Sequence, residues 1–341
     1  MNEVTVVGID LAKNVFELAG QNRAGRWVYR KRVRRSKLRE TVAQLPPCLI
    51  AMEACGGSHY WAREFMSLGH RVRLLPAQYV KPYRTGPKND RRDAEAVCEA
   101  ATRPKIPEVA VKRPDQQAMQ GLHRVRSQLV GQRTALSNCA RGLLQEFGIV
   151  IPRGHAALRR TLAEVLSEAA LPEDLIVALQ ALADQLGELT IRIDRLTARI
   201  EHEARGDELH RTLLTARGVG PITVTAFTAA IGDPSAYRNG RQVAAALGLV
   251  PAQDSSGDHQ RLLGISKCGD RYVRSLLVHG ARSALRAARG KSDPLSRWMC
   301  RLADRRGHNR AIVAIANKMA RILWAMMKSG EAFVADRAVA A

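Results

Sequence analysis

An α/β domain followed by a mostly helical remainder is the fold class that this 341-residue sequence predicts. Three observations predict it. Short apolar, β-rich runs alternate with helical segments through residues 1–105. Leucine and isoleucine then step four-three-four-three from Leu175 to Ile200. A strongly basic, helix-rich stretch closes the chain.

Glu3–Ile9 is a β-rich run ending in Asp10, and Val15–Ala19 and Trp27–Val33 read as the next two strands, parted by Asn22 and Gly25. They suggest an antiparallel meander. Ser36–Leu45 reads as a helix with Ser36 as its N-cap. Cys48–Glu53 is a short apolar strand, Gly57–Gly69 a helix stopped by glycine, and Val72–Leu75 a further strand. Three strands, helix, strand, helix, strand is the order of an RNase H-like core. Pro76–Lys88 is then a loop and Asp90–Ala101 a helix.

The middle, residues 106–206, is helical. Leu122, Val125, Leu129, Leu136 and Leu143 recur at coiled-coil spacing, with Gln132 and Cys139 in the intervening positions. A break at Gly148–Gly154 precedes the second seam: Leu175, Leu179, Leu182, Leu186, Leu189, Ile193, Leu196 and Ile200. Such heptads pair helices either within one chain or between copies, and both readings carry equal weight. The last part, 207–341, opens on Leu213–Ile231, which resembles a helix-hairpin-helix whose Gly218-Val219-Gly220 turn offers backbone N–H groups to a phosphate, a simple helical turn being the alternative. Gln242–Gly248 reads as a short helix and Pro251–Gly264 as a polar loop. Arg271–Arg289 and Asn309–Lys328 read as long basic helices joined by a segment near Gly290–Pro294.

Composition narrows the partners. Lysine and arginine number 54 against 32 acids, a net charge of +22. The excess is uneven: Gly257–Lys328 holds sixteen cations and four acids, whereas Leu171–Arg205 holds seven acids and four arginines. A polyanion bound by the C-terminal part follows, most simply nucleic acid. Aromatic content of 4% argues against a sheet that stacks bases, so arginine contacts to backbone and groove should dominate. The run Arg30-Lys31-Arg32-Val33-Arg34-Arg35 suggests a further contact through Arg30 and Arg34, with a solvated edge strand as the alternative. The six cysteines have no zinc spacing and read as reduced, mostly buried thiols of a cytosolic protein. No secretory signal pattern is present. The apolar run Ala311–Met327 is interrupted by Lys318 and Arg321, so it reads as a packed helix rather than a membrane span.

Two groups carry chemistry. Asp10 and Glu53 end apolar strands, and Asp90 and Asp93 lie three apart at a helix start, on one face. Each acid has an ordinary reading alone: Gly-Ile-Asp10 is a common run, Glu53 could cap a helix, and Asp90 could be an N-cap with surface ion pairs. All four in this order suit a divalent-ion site for phosphodiester chemistry. The loop Asp254-Ser255-Ser256-Gly257-Asp258-His259 precedes Arg261, Lys267, Arg271 and Arg274, cations suited to a scissile phosphate. A serine in that field is a candidate nucleophile, with His259 and Asp258 as candidate proton acceptors.

The ordered set Gly8-Ile9-Asp10-Leu11-Ala12-Lys13, Met52-Glu53-Ala54-Cys55-Gly56-Gly57, Lys88-Asn89-Asp90-Arg91-Arg92-Asp93, Gly218-Val219-Gly220-Pro221, Leu247-Gly248-Leu249-Val250-Pro251, Ser256-Gly257 and Ile265-Ser266-Lys267-Cys268-Gly269 resembles the DEDD transposases of bacterial insertion sequences, family one-hundred-ten in its eleven-eleven branch. The resemblance spans almost the whole chain. It implies a RuvC-like domain over 1–105 with Asp10, Glu53, Asp90 and Asp93 holding Mg²⁺ or Mn²⁺. It implies an oligomerisation region over 106–206 and a transposase domain over 207–341. There Ser256 would form a covalent phosphoserine link to DNA, with the neighbouring Ser255 the rival for that role. It further implies donor and target DNA as substrates, a structured bridge RNA as guide, and dimers or tetramers with active sites shared between subunits. The expected location is the bacterial cytoplasm, with the nucleoid. A RuvC-type nuclease that hydrolyses DNA without serine chemistry is the alternative. An actin-like ATPase shares the Gly-Ile-Asp-Leu opening but needs a second phosphate-binding strand that the sequence lacks.

Overall fold

The structure is a computed structural model that describes residues 3–86, 89–168, 171–257 and 259–335. Lys88 and Asp258 lie outside the described residues. The chain forms two compact units: Met1–Pro114 with Ile231–Ala236, and Asp115–Ala230 with Tyr237–Ala341.

In the first unit, strands β1 (Val4–Asp10), β2 (Val15–Asn22) and β3 (Trp27–Arg34) form the antiparallel meander. Helix α1 (Leu38–Ala43), strand β4 (Leu49–Glu53), helix α2 (Ser58–Ser67) and strand β5 (Arg71–Leu75) follow, then α3 (Ala77–Val80) and α4 (Asp90–Ala101). The sheet order is β3-β2-β1-β4-β5, with β4 and β5 parallel to β1. Ser36 is not the cap of α1: it sits inside a 3₁₀ turn, Arg35–Lys37, which makes the entry to the helix.

Alternation along the strands divides two cores. Val7, Ile9, Ile50 and Met52 pack with Phe16, Trp61 and Phe65 on the side of α1 and α2. Val6, Leu49 and Ala51 pack with Ala96, Val97 and Ala100 of α4 on the other. The central position of β1, buried on both faces, explains its near-continuous apolar run.

The second unit is helical apart from one hairpin. It contains α5 (Pro114–Glu146), α6 (His155–Glu168), α7 (Glu173–Gly206), α8 (Glu208–Leu213), α9 (Pro221–Ile231) and α10 (Gly240–Ala246). Strands β6 (Pro251–Gln253) and β7 (Leu262–Ile265) lead to α11 (Arg271–Ala288), α12 (Pro294–Arg306) and α13 (His308–Ser329). Leu179 and Leu186 of the α7 seam are buried with Ala140 and Leu144 of α5 and Leu158 and Leu162 of α6, so this part of the seam is filled within the chain.

Three expectations are corrected here. The segment read as a polar loop, Pro251–Gly264, contains an antiparallel hairpin, because Gln253 pairs with Leu262 and Pro251 with Ile265. The two basic helices are not joined directly. A full helix, α12, intervenes, started by Pro294 at its first turn and by Asp293, whose carboxylate accepts from the Ser296 N–H. Only Cys48 and Cys98 of the six cysteines are buried; Cys55, Cys139 and Cys268 are exposed. No helix among the described residues is long and apolar enough to cross a membrane; Lys318 of α13 is buried and lies over the Trp298 ring at 5.3 Å.

Candidate active site

Asp10 ends β1 and Glu53 ends the neighbouring parallel strand β4, where Ile9 pairs with Met52. Asp10 shares a strand face with Val6 and Gly8, and Glu53 with Leu49 and Ala51, which is the face that α4 covers. Gly8 lets α4 approach. A Cβ there would lie 2.3 Å from the Ala94 carbonyl oxygen and 2.4 Å from the Cys98 nitrogen. The Asn89 side chain caps α4, accepting from the Arg92 N–H at 2.8 Å, and so presents Asp90 and Asp93 on its first turn.

Carboxylate oxygens of Asp10, Asp90 and Asp93 all lie within 4.8 Å of one another. Glu53 and Asp93 line one cleft of about 250 Å³ with Gln78, Lys81 and Arg84. Arg84 Nη1 stands 3.4 Å from Asp93 Oδ1. Desolvation by the surrounding protein, and then the charges of Glu53 and Asp10, push the nearby Cys55 thiol up, although the residue as a whole is exposed. An all-oxygen donor set of this kind fits a hard divalent cation, and gathering three acids without one costs Coulomb repulsion that Arg84 offsets only in part. Gly8 and Arg84 were not singled out from the sequence. A glycine two residues before a strand-end acid is a usable signal for the first, and nothing in the spacing marks the second.

In the second unit, Ser256 lies at the exposed tip of the β6–β7 hairpin, bridged to His259, whose N–H donates to the Ser256 carbonyl at 3.1 Å. Gly257 beside it has φ +55, the left-handed turn conformation that glycine adopts readily. The two serines differ. Ser255 Oγ accepts from Gln253 Nε2 at 3.0 Å and from the Arg261 N–H at 3.1 Å. The Ser256 hydroxyl makes no hydrogen bond among the described residues.

The base of the hairpin is held backbone to backbone. Ser266 N–H donates to Val250 O at 2.8 Å and Lys267 N–H to Gly248 O at 3.2 Å. A Cβ on Gly269 would lie 1.8 Å from the Ala246 carbonyl oxygen, and one on Gly248 2.2 Å from that of Cys268. These approaches account for the Leu-Gly-Leu-Val-Pro and Ile-Ser-Lys-x-Gly motifs. Arg261, Lys267 and Arg271 are exposed around this base, but Arg274 is not. Its guanidinium is buried and donates to the carbonyls of Leu247 and Cys268 at 2.8 and 2.9 Å, holding the loop instead of facing solvent. Gly218 likewise serves packing: its Cβ would lie 2.3 Å from the Gly280 carbonyl oxygen, so the Gly-x-Gly turn is pressed onto α11. On β3, an edge strand, Arg30 pairs with Glu95 at 3.1 Å and Arg34 is exposed.

Fold and site together define a class: an α/β domain with a carboxylate cluster suited to a divalent cation, in a chain whose charge suits a polyanion. Residues 210–295 match the family described as "Transposase IS116/IS110/IS902 family", and residues 7–149 match the DEDD transposases of the IS110 type. A probable family 20 transposase of Pseudomonas aeruginosa is 51% identical over 324 residues, covering 94% of this chain and 96% of its own. The transposase of insertion element IS1328 from Yersinia enterocolitica is 40% identical over 98% of this chain and 99% of its own. That of IS1111A from Coxiella burnetii is 40% identical over 98% and 92%. The chain belongs to the IS110/IS116/IS902 family of DEDD insertion-sequence transposases, DNA-binding enzymes that move DNA and generally use a divalent metal.

Proposed function

We propose that this transposase cuts and rejoins DNA strands through a covalent phosphoserine intermediate at Ser256. Asp10, Glu53, Asp90 and Asp93 would hold the divalent ion, Mg²⁺ or Mn²⁺, which when bound supplies charge neutralisation at the phosphate. Ser256 Oγ attacks phosphorus, the phosphorus–oxygen bond to the leaving deoxyribose breaks, and that oxygen takes up a proton. The serine's own proton passes to a base, for which His259 is the candidate. Attack by the hydroxyl of an incoming strand reverses the step and frees Ser256. The phosphoserine link conserves the bond energy, so no nucleotide cofactor is consumed.

The observation that carries this reading is the contrast between the serines: the Ser255 hydroxyl is engaged inside the hairpin and the Ser256 hydroxyl is not. Arg261, Lys267 and Arg271 surround that hairpin as phosphate ligands, with Arg34 and Arg30 as contacts at the sheet edge. In this reading residues 1–105 are an RNase H-like, RuvC-like domain, supported by the β3-β2-β1-β4-β5 order. Residues 106–206 mediate oligomerisation and 207–341 are the transposase domain. With part of the α7 seam filled internally, pairing of copies falls to the α5 stripe through Leu122, Val125 and Leu129, where Val125 is 53% exposed. Subunits so joined would combine acids and serine from different copies, with a bridge RNA reading sequence by base pairing.

Incubating the protein with element-end DNA and Mg²⁺, then denaturing it, tests the reading. Wild type should leave a covalent protein–DNA adduct and Ser256→Ala none, while Ser255→Ala retains it. Strand cleavage without any adduct would instead establish the hydrolytic nuclease.

A further inference from the structure

We infer that the cleft between α5 and the start of α11 is a subsite for the phosphodiester backbone of a nucleic-acid strand, an inference that rests on the DNA-processing reading of the second unit. The cleft measures about 450 Å³, within the range of roughly 300–1,000 Å³ usual for ligand sites. It has two layers with opposite hydrogen-bonding character.

The floor is a closed chain of donors. Burial first, and then Arg126, push the His123 imidazole down to about 4, so it is neutral. Tyr272 O–H donates to His123 Nδ1 at 3.1 Å, His123 Nε2–H to Thr225 Oγ1 at 2.9 Å, and Thr225 O–H to the Pro221 carbonyl at 2.8 Å. Every group is engaged, and α5, α9 and α11 are pinned together.

The rim is the reverse. Gln120, Arg124, Ser127 and Gln128 lie on one face of α5 at helical spacing, opposite Arg271. None of the five side chains has a hydrogen bond or ion pair among the described residues. Asp270 also lines the cleft, but its carboxylate accepts from the N–H groups of Tyr272 and Val273. Two guanidiniums, two amides and a hydroxyl are donors matched to phosphate and sugar oxygens. Arg271 also begins a stripe. Arg282 and Arg286 follow on the same face of α11 and Arg289 is its C-cap residue, all exposed, and the helix carries no acid. Within the helix the stripe extends about 22 Å, enough for several consecutive phosphates.

The test uses the full chain and three fluorescent probes: duplex DNA, single-stranded DNA and RNA. Arg124→Ala with Gln128→Ala, which leaves the cations around the hairpin in place, should weaken binding to at least one probe tenfold or more and lower its salt slope by about one. Ser127→Trp, which fills the cleft, should weaken the same probe, and a bromouracil-bearing form of that probe should crosslink to the α5 segment 115–128. The responding probe identifies the strand. Unaltered affinity and slope for all three probes, in variants that unfold at the wild-type temperature, would overturn the assignment, as would crosslinks confined to other segments. Loss of the Ser256 adduct leaves these affinities unchanged, so the two readings fail separately.

Discussion

Ser255 and Ser256 are neighbours of one chemical type, yet one hydroxyl accepts two hydrogen bonds within the hairpin and the other faces solvent. Residue-scale differences of this sort also govern the acids. Asp10, Asp90 and Asp93 converge, so Asp10→Ala or Asp93→Ala should lower Mn²⁺ affinity at least tenfold, read by electron paramagnetic resonance of the free ion. Unchanged affinity would remove the divalent site. A structural acid behaves differently. Burial alone would raise the Asp293 carboxyl, but hydrogen bonds from Ser296 and then Arg217 hold it below the usual carboxylate range. Its contribution is present in full above the ordinary carboxylate value and is lost as pH falls through the lower folded value. Asp293→Ala should therefore cost roughly 1–2 kcal/mol at neutral pH. Urea titrations should find that gap closing below roughly pH 4.

At the scale of elements, the strand ends and the start of α4 were legible because their signals are local, alternation and a glycine stop, although the cap is Asn89 and not the Asp90 that the sequence offered. The closeness of α4 to β1 was not, since it depends on Gly8 meeting Ala94 and Cys98, residues far along the chain. Gly8→Ala should force α4 off the sheet. We expect a loss of about 1–3 kcal/mol from overpacking, together with weakened Mn²⁺ binding although every acid remains. A variant with wild-type stability and affinity would show that α4 gives way freely. The α7 heptads were visible in the sequence, but their partner was not. A repeat specifies a stripe and not its partner, and Leu158 and Leu162 of α6, which share that core, lie outside any heptad in the sequence. The hairpin was missed because Asp254–Gln260 reads as turn chemistry throughout, and its strands are only three and four residues long.

Over the whole molecule, a net charge of +22 makes affinity for nucleic acid an electrostatic quantity. If about six phosphates are neutralised, binding should weaken roughly 10³-fold between 50 and 200 mM salt, measured by fluorescence anisotropy. A flat response would count against the basic C-terminal surface.

The sequence by itself determined the class of protein and most of its elements, and it marked the four acids and the Ser256-Gly257 pair as candidates, because these follow from residue type and short spacing. Only the tertiary structure decided which of those residues meet. Arg274, an arginine like its neighbours in the sequence, is buried on two carbonyls, and Arg84 reaches Asp93. Burial and hydrogen-bond partners are set by distant parts of the chain, and no local pattern encodes them.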